Sequence, residues 1–331
     1  MIIVTGGAGF IGSALIWRLN QLDRRDILVV DRLGTGEKWR NLAPLAFAEF
    51  QGKQEFAESL EWGLPEDCEV VFHMGACSST TERDADYLMG NNALLTRDLA
   101  RICAQQKIRL IYASSAATYG DGALGYADDP GGIDRLAPLN GYGWSKQLAD
   151  RWLRDEGLLE TAVGFKFFNV FGPNEYHKES MRSMVLKAWE QIHAGGPVRL
   201  FANHRDGFAN GDESRDFVYV KDVVETMLAA WRMPEVHGLF NLGTGMARRF
   251  EDLALAVFQA LGREPKIDWV PMPTELRGQY QYHTCAEMSR STAIGLPLPA
   301  TGLEEAVRDY VCNYLENGCA RLGASGTDSL S

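Results

Sequence analysis

Tyr142 and Lys146 are the pair in this chain best suited to moving a proton. They stand four residues apart in Tyr142-Gly143-Trp144-Ser145-Lys146, so on a helix both side chains lie on one face. A free phenol has a pKa of about 10, and a neighbouring ammonium favours its ionised form. A phenol tuned in that way takes the proton of a substrate hydroxyl. Upstream, Arg109-Leu110-Ile111-Tyr112-Ala113 reads as a strand that delivers Ser114-Ser115-Ala116-Ala117 at its C-terminal end. Ser115 is placed there to hydrogen-bond the same substrate oxygen. Tyr-x-x-x-Lys arises easily by chance, so the elements around it decide its meaning.

Those elements begin at the N-terminus. Ile2-Ile3-Val4 reads as a buried strand, and it runs into Gly6-Gly7-Ala8-Gly9-Phe10-Ile11-Gly12 and then a helical pattern from Ser13 to Leu22. A second strand, Asp26 to Val30, ends at Asp31. In Gly7-x-Gly9-x-x-Gly12 the first glycine turns tightly, the second lets backbone touch a pyrophosphate, and the third lets helix pack on strand. The free N–H groups and positive dipole end of the following helix point at the phosphates. A nicotinamide dinucleotide held there accepts the carbinol hydride while Tyr142 takes the proton. Asp31 is the residue type that accepts from the ribose 2′-hydroxyl of NAD. Arg32, Lys38 and Lys53 are types that neutralise the 2′-phosphate of NADP. The residues alone point both ways.

Further along, Glu69 to Met74 is a strand leading to the small residues Gly75-Ala76-Cys77-Ser78, where a cofactor can approach closely. His73 lies within that apolar strand and reads as a hydrogen-bonded core histidine, and Cys77 as a small hydrophobe. A long helix over 84–106 carries Asn91 and Asn92. The Tyr142 helix runs to Glu156, and Thr161 to Phe168 is a strand that stops at Asn169-Val170-Phe171-Gly172-Pro173. A helix covers about 181–193, 203–214 reads as an exposed loop, 217–220 as a strand with Asp222 capping the next helix, and 250–261 as a helix. Strands alternating with helices predict an α/β fold, a doubly wound parallel sheet of Rossmann type with a smaller C-terminal α/β substrate domain. The expected division is 1–170 plus about 215–245 for the dinucleotide, about 171–214 plus 246–318 for the substrate, and a mobile tail over 319–331.

Composition narrows the function. A net charge of −11 over 331 residues disfavours nucleic acid and membrane surfaces as partners, since both need a basic face. No stretch approaches the roughly 20 apolar residues that span a bilayer. Cys68, Cys77, Cys103, Cys285, Cys312 and Cys319 lack metal-ligand spacing and read as reduced thiols, so no metal is expected. A cytoplasmic enzyme that forms a homo-oligomer is the expectation.

At the level of motifs the chain resembles the extended short-chain dehydrogenase/reductase superfamily over nearly its whole length. The residues that carry this are the glycine stretch 6–12, Asp31, Ser114-Ser115-Ala116, Tyr142 to Lys146, Phe168 to Pro173, Arg215-Asp216-Phe217-Val218-Tyr219-Val220 and Asn241-Leu242-Gly243-Thr244-Gly245. Gly75 to Glu82, Tyr112 to Gly120 and Gly172-Pro173-x-Glu175-x-His177-Lys178-x-Ser180-Met181 are similar, more narrowly, to its branch of epimerases that invert C6 of ADP-linked heptoses. That resemblance implies bound NADP and a role in making lipopolysaccharide precursors. It implies that Gly6, Gly9, Phe10, Ile11, Gly12, Asp31, Arg32, Lys38, Lys53, Met74, Gly75, Ala76, Cys77, Ser78, Asn91, Tyr142, Lys146, Val170 and Lys178 face the cofactor. Asn169, Ser180, Lys187, Phe201, Arg215 and Tyr280 would face the substrate.

Inverting a carbinol through a ketone puts its oxygen in two places, and each needs a proton relay. Tyr142 serves one epimer and Lys178 the other, provided burial beside other cations lowers the lysine. Three features depart from the resemblance. Lys166 stands where the superfamily often has arginine, Lys187 where the related epimerases tend to have histidine, and the 203–214 loop is long. Lys187, Arg199, Arg205 and Arg215 are candidates to hold a diphosphate. Rival readings are another nucleotide-sugar epimerase such as a UDP-glucose 4-epimerase, which would not need Lys178, and a nicotinamide-sensing regulatory protein, which would not need Tyr142 and Lys146. A 4,6-dehydratase needs an acid pair where Ala116-Ala117 stand.

Overall fold

Short apolar runs buried on both faces make the centre of the molecule. The computed structural model describes residues 1–204, 209–278 and 280–324. Strands β1 (Ile2–Thr5), β2 (Ile27–Asp31), β3 (Glu49–Gly52), β4 (Val70–His73), β5 (Arg109–Ser115) and β6 (Ala162–Phe167) pair in parallel. A later strand, β10 (Gly238–Leu242), completes a seven-stranded sheet of order β10-β6-β5-β4-β1-β2-β3. Alternation along the strands gives two cores. Ile2, Val4, Phe72 and Val163 face one side, and Ile3, Val71, Leu110 and Tyr112 the other. The strand order reverses between β1 and β4, and in such sheets the crevice at the C-terminal ends of those strands receives ligands.

The helices that matter for that crevice are α1 (Phe10–Gln21), α2 (Lys53–Ser59), α3 (Ala85–Leu88), α4 (Leu95–Gln106), α5 (Gly141–Asp155), α6 (Met184–His193), α7 (Val220–Arg232) and α8 (Phe250–Ala260). Outside the large sheet, β7 (Asn169–Phe171) pairs in parallel with β9 (Ser214–Tyr219), which pairs antiparallel with β11 (Ala247–Arg249). A separate parallel pair joins β8 (Val198–Ala202) to β12 (Ile267–Pro271).

Several expectations need correction. The helix over 84–106 is not uniform, because a π-turn, Met89–Leu94, joins α3 to α4 and carries Asn91 and Asn92. Asp222 is no cap: α7 starts at Val220, and the Asp222 carboxylate accepts instead from Thr301 N at 2.8 Å and Thr301 Oγ1 at 2.7 Å. Residues 169–171, expected as a strand stop, form a strand of their own. The expected tail is held as far as 324, with Leu322 fully buried, while 325–331 lie outside the described residues. His73 is a core histidine: Thr5 Oγ1 lies 2.7 Å from its Nδ1 and Thr96 Oγ1 3.0 Å from its Nε2. Among the described residues, no helix is long and apolar enough to cross a membrane, and no cluster of ligands fits a metal.

Candidate active site

One cavity of about 520 Å³ lies at the C-terminal ends of β1, β4 and β5. It is lined by Gly6, Gly9, Phe10, Ile11, Gly12, Asp31, Lys38, Met74, Gly75, Ala76, Ser78, Ser115, Tyr142, Lys146, Asn169, Val170, Lys178 and Lys187, all expected at the site. The glycine turn fits a dinucleotide pyrophosphate. A Cβ on Gly12 would stand 2.3 Å from Gly6 O, so the first turn of α1 can press on the loop only without a side chain. Gly6 takes φ +66° with Gly75 N beneath it, a conformation that suits glycine. α1 begins with no side-chain cap and no acidic residue in its first turn. Its N–H groups and dipole are therefore left for an anion.

At the end of β2, the buried Asp31 carboxylate is already occupied. It accepts from Ala8 N at 2.9 Å and Arg32 N at 2.6 Å, and pairs with Lys38 Nζ at 2.5 Å. Arg32, Lys53 and Asn91 line an adjoining cavity with Tyr87. There Lys53 Nζ bonds Asn91 Oδ1 and lies 5.5 Å from the Tyr87 ring centroid. Burial and the neighbouring Arg32 charge push the Lys53 ammonium below its ordinary range.

Tyr142 and Lys146 sit on the first turns of α5, where Asn140 caps the helix by accepting from Gly143 N at 2.8 Å. Burial raises the Tyr142 phenol above its ordinary pKa, and a hydrogen bond with Ser115 opposes the rise. The protein's own groups therefore do not supply the lowered phenol expected from sequence. Lys146 is buried and donates to Ala113 O at 2.7 Å. Burial pushes it down to about 8, with Asp150 opposing. Behind it, Asp150 and Lys166 form a fully buried ion pair at 3.0 Å. Asp150 also accepts from Ser114 Oγ at 2.6 Å and Tyr112 OH at 3.0 Å, so Lys166 closes a network under the Ser114–Ser115 strand end.

Lys178 arrives from the segment after β7, and its ammonium lies 5.3 Å from the Phe10 ring centroid. Burial lowers its pKa; Glu175 opposes this and Lys187 adds to it. Its neighbour Glu179 takes φ +47°, a strained conformation for a residue with a Cβ. Lys187 donates to Ser180 O at 2.7 Å. Ser180 itself is exposed and does not line the cavity.

The remaining substrate candidates gather beyond the cavity. The buried Arg215 guanidinium lies 5.4 Å from the Phe250 centroid and 5.0 Å from that of Tyr280. Phe201, Tyr280, Phe250 and Arg199 line an 80 Å³ pocket, and Phe250 also lines the main cavity. Arg205 lies outside the described residues. Sequence reasoning missed Phe250, His177 and Asn92 as site residues. Asn92 holds Cys77 N (2.8 Å) and Cys77 O (3.0 Å) and donates to Ser145 Oγ at 3.0 Å, tying the β4 loop to α5. A π-turn is the kind of feature that marks such positions, but nothing in the local residue pattern announces one. His177 lines the cavity, and its place within the quoted motif from Gly172 to Met181 was the sequence signal that could have found it.

Comparison with known proteins bears on the family and the fold. Residues 2–243 match a family described as the NAD dependent epimerase/dehydratase family. The chain is 51% identical over 316 residues to an ADP-L-glycero-D-manno-heptose-6-epimerase of Nitratidesulfovibrio vulgaris, covering 95% of this chain and 98% of that one. It is 46% identical over 325 residues to the protein of that name from Fusobacterium nucleatum, again covering 95% and 98%. The crystal structure of the Helicobacter pylori ADP-L-glycero-D-manno-heptose-6-epimerase superposes with a TM-score of 0.77 at 27% identity, over 94% of each chain. A Thermus thermophilus UDP-glucose 4-epimerase in complex with NAD gives 0.73 at 26% identity, over 94% and 97%.

Proposed function

The chain belongs to the NAD dependent epimerase/dehydratase family, and from that premise we propose that it is a nucleotide-sugar epimerase acting at C6 of an ADP-linked heptose. It interconverts ADP-D-glycero-D-manno-heptose and ADP-L-glycero-D-manno-heptose, a step in making lipopolysaccharide core precursors. Beyond the relatives, one observation carries this reading: a partly buried amine, Lys178, lines the same cavity as Tyr142.

A nicotinamide dinucleotide held by the glycine turn and the start of α1 would supply hydride acceptance and return at C6. The residues of this chain handle the proton. The two epimers present C6 with opposite hands, so the hydroxyl oxygen occupies two positions in the cavity. Tyr142, with Ser115 beside it, takes and returns the proton at one. Lys178, lowered by burial and Lys187, does so at the other. Lys146 shares the Tyr142 face of α5, and because burial raises the phenol, the positive charge that favours the phenolate would have to come from a bound oxidised nicotinamide. Asn169 and Lys187 border the heptose, and Arg215, between Phe250 and Tyr280, draws the ADP moiety.

NADP is the cofactor of this reading. Lys38 neutralises the Asp31 carboxylate that would repel a 2′-phosphate, and Arg32 and Lys53 add charge beside it. The test pairs two measurements. Purified protein is incubated with ADP-D-glycero-D-manno-heptose and, separately, with UDP-galactose; only the heptose is inverted. Inversion of UDP-galactose with the heptose untouched refutes the substrate assignment. Denatured protein releases NADP, and release of NAD alone refutes the argument from Arg32, Lys38 and Lys53.

A further inference from the structure

The last described residues of the chain return to the segment that carries Lys178. Cys319, at φ +57°, turns the backbone out of the final helical stretch. Ala320 O then accepts from Tyr176 OH at 2.9 Å. The Arg321 guanidinium lies 4.4 Å from the Tyr176 ring centroid, and its Nε donates to Asn41 Oδ1 at 3.2 Å. Leu322 is fully buried and its N–H donates to Asn174 Oδ1 at 3.1 Å.

Asn41 and Asn174 are themselves buried, and their amides are spent on the site. Asn41 Nδ2 donates to Ala8 O at 3.1 Å and Asn174 O at 2.9 Å, and has His177 Nδ1 at 3.3 Å. Asn174 takes φ +77° and donates to Ser13 Oγ at 3.0 Å. The chain end, the glycine turn, the first turns of α1 and the Asn174–Glu179 segment are therefore one bonded unit. Lys178 lies four residues past Asn174 and next to Glu179, whose left-handed backbone persists only if its surroundings hold it. On the far side Glu175 does part of that, accepting from Ser183 Oγ at 2.6 Å. On the near side the partners come from 320–322.

We propose that residues 319–322 are a strap that positions Lys178 in the cavity, with Arg321 and Leu322 as its positioning residues. This rests on the reading of Lys178 as the second proton relay. The strap does not touch the reacting atoms. It fixes the Tyr176–His177–Lys178 turn against Asn41 and Asn174, and with it the reach of the amine.

The test uses the cofactor-loaded protein ended at Gly318, and Arg321→Ala in the full chain as a variant that keeps the buried Leu322. Single-turnover oxidation is followed from each epimer separately, with amide exchange over 174–183 as a readout independent of activity. A displaced general base costs about tenfold to a hundredfold in rate. That loss is expected from the epimer that needs Lys178, with oxidation of the other changed less than about twofold and faster exchange confined to 174–183. Arg321→Lys, which keeps the charge over Tyr176, recovers part of the rate. Equal losses from both epimers, or no loss from either, overturn the proposal. Lys178→Met is run alongside. If it spares both epimers, the relay assignment itself has failed and the strap falls with it.

Discussion

Lys166→Met tests how the ground beneath the catalytic residues is built. Lys166 and Asp150 are 1% and 0% exposed and 3.0 Å apart. Removing the ammonium leaves Asp150 with only Ser114 and Tyr112 as donors in a site without water contact, and stranding one partner of such a pair costs about 3–5 kcal/mol. At roughly 2.1 cal/mol/K per residue, 331 residues give an unfolding entropy of about 0.7 kcal/mol/K. A loss of about 4 kcal/mol then lowers Tm by about 6 °C. Thr118, whose Oγ1 receives Lys166 Nζ at 2.6 Å, loses a partner too. The companion is Lys166→Met with Asp150→Asn, which removes both charges and returns most of the lost stability. Calorimetry with urea midpoints measures both variants. A single variant within about 1 °C of the parent, or a double variant as unstable as the single, refutes the reasoning. Activity falls in the single variant as well, because Asp150 lies one helical turn past Lys146 and anchors Ser114 beside Ser115.

Gly12→Ala forces a methyl to 2.3 Å from Gly6 O and should cut bound dinucleotide after purification by about tenfold or more; unchanged content contradicts the cradle. Lys146, lowered to about 8 in the folded protein against about 10.4 unfolded, binds its proton less tightly when folded. Between those values the unfolded chain holds the extra proton, so stability rises with pH across that window. Wild type compared with Lys146→Met in cofactor-free protein, unfolded at pH steps from about 8 to 10.4, should show that gain only in wild type; parallel curves contradict it. Lys38→Glu should shift preference from NADP toward NAD, read as the ratio of the two nucleotides retained, and an unchanged ratio removes Lys38 from cofactor choice.

Six of the seven strands of the large sheet were legible because they are mostly apolar and lie beside glycine-marked turns; the edge strand β3, polar and partly exposed, was not. The catalytic helix was legible because Tyr142 and Lys146 share a face. Ser115, Tyr142, Lys146 and Lys178 do converge on one cavity. Less was readable where meaning depends on partners distant in sequence. Asp222 has the residue type of a cap, but Thr301 claims it 79 positions away. The π-turn under Asn92, the short strands β7, β8, β11 and β12, and the anchoring of 319–324 arise from long-range pairing that no local pattern records. Lys166 looked like a departure from the superfamily, and it is a buried counter-charge for Asp150. The phenol of Tyr142 shows the limit on the energetic side: neighbours four residues apart suggest a lowered pKa, and burial, invisible in sequence, acts the other way.

The measurement that bears most directly on two proton relays in one cavity is single-turnover oxidation of each pure epimer by Tyr142→Phe and by Lys178→Met. The prediction is a crossed pattern: each variant loses about 100-fold or more with one epimer and keeps the other near wild type, while the double variant is inactive with both. Loss with the same epimer in both variants, or normal turnover in the double variant, would contradict it.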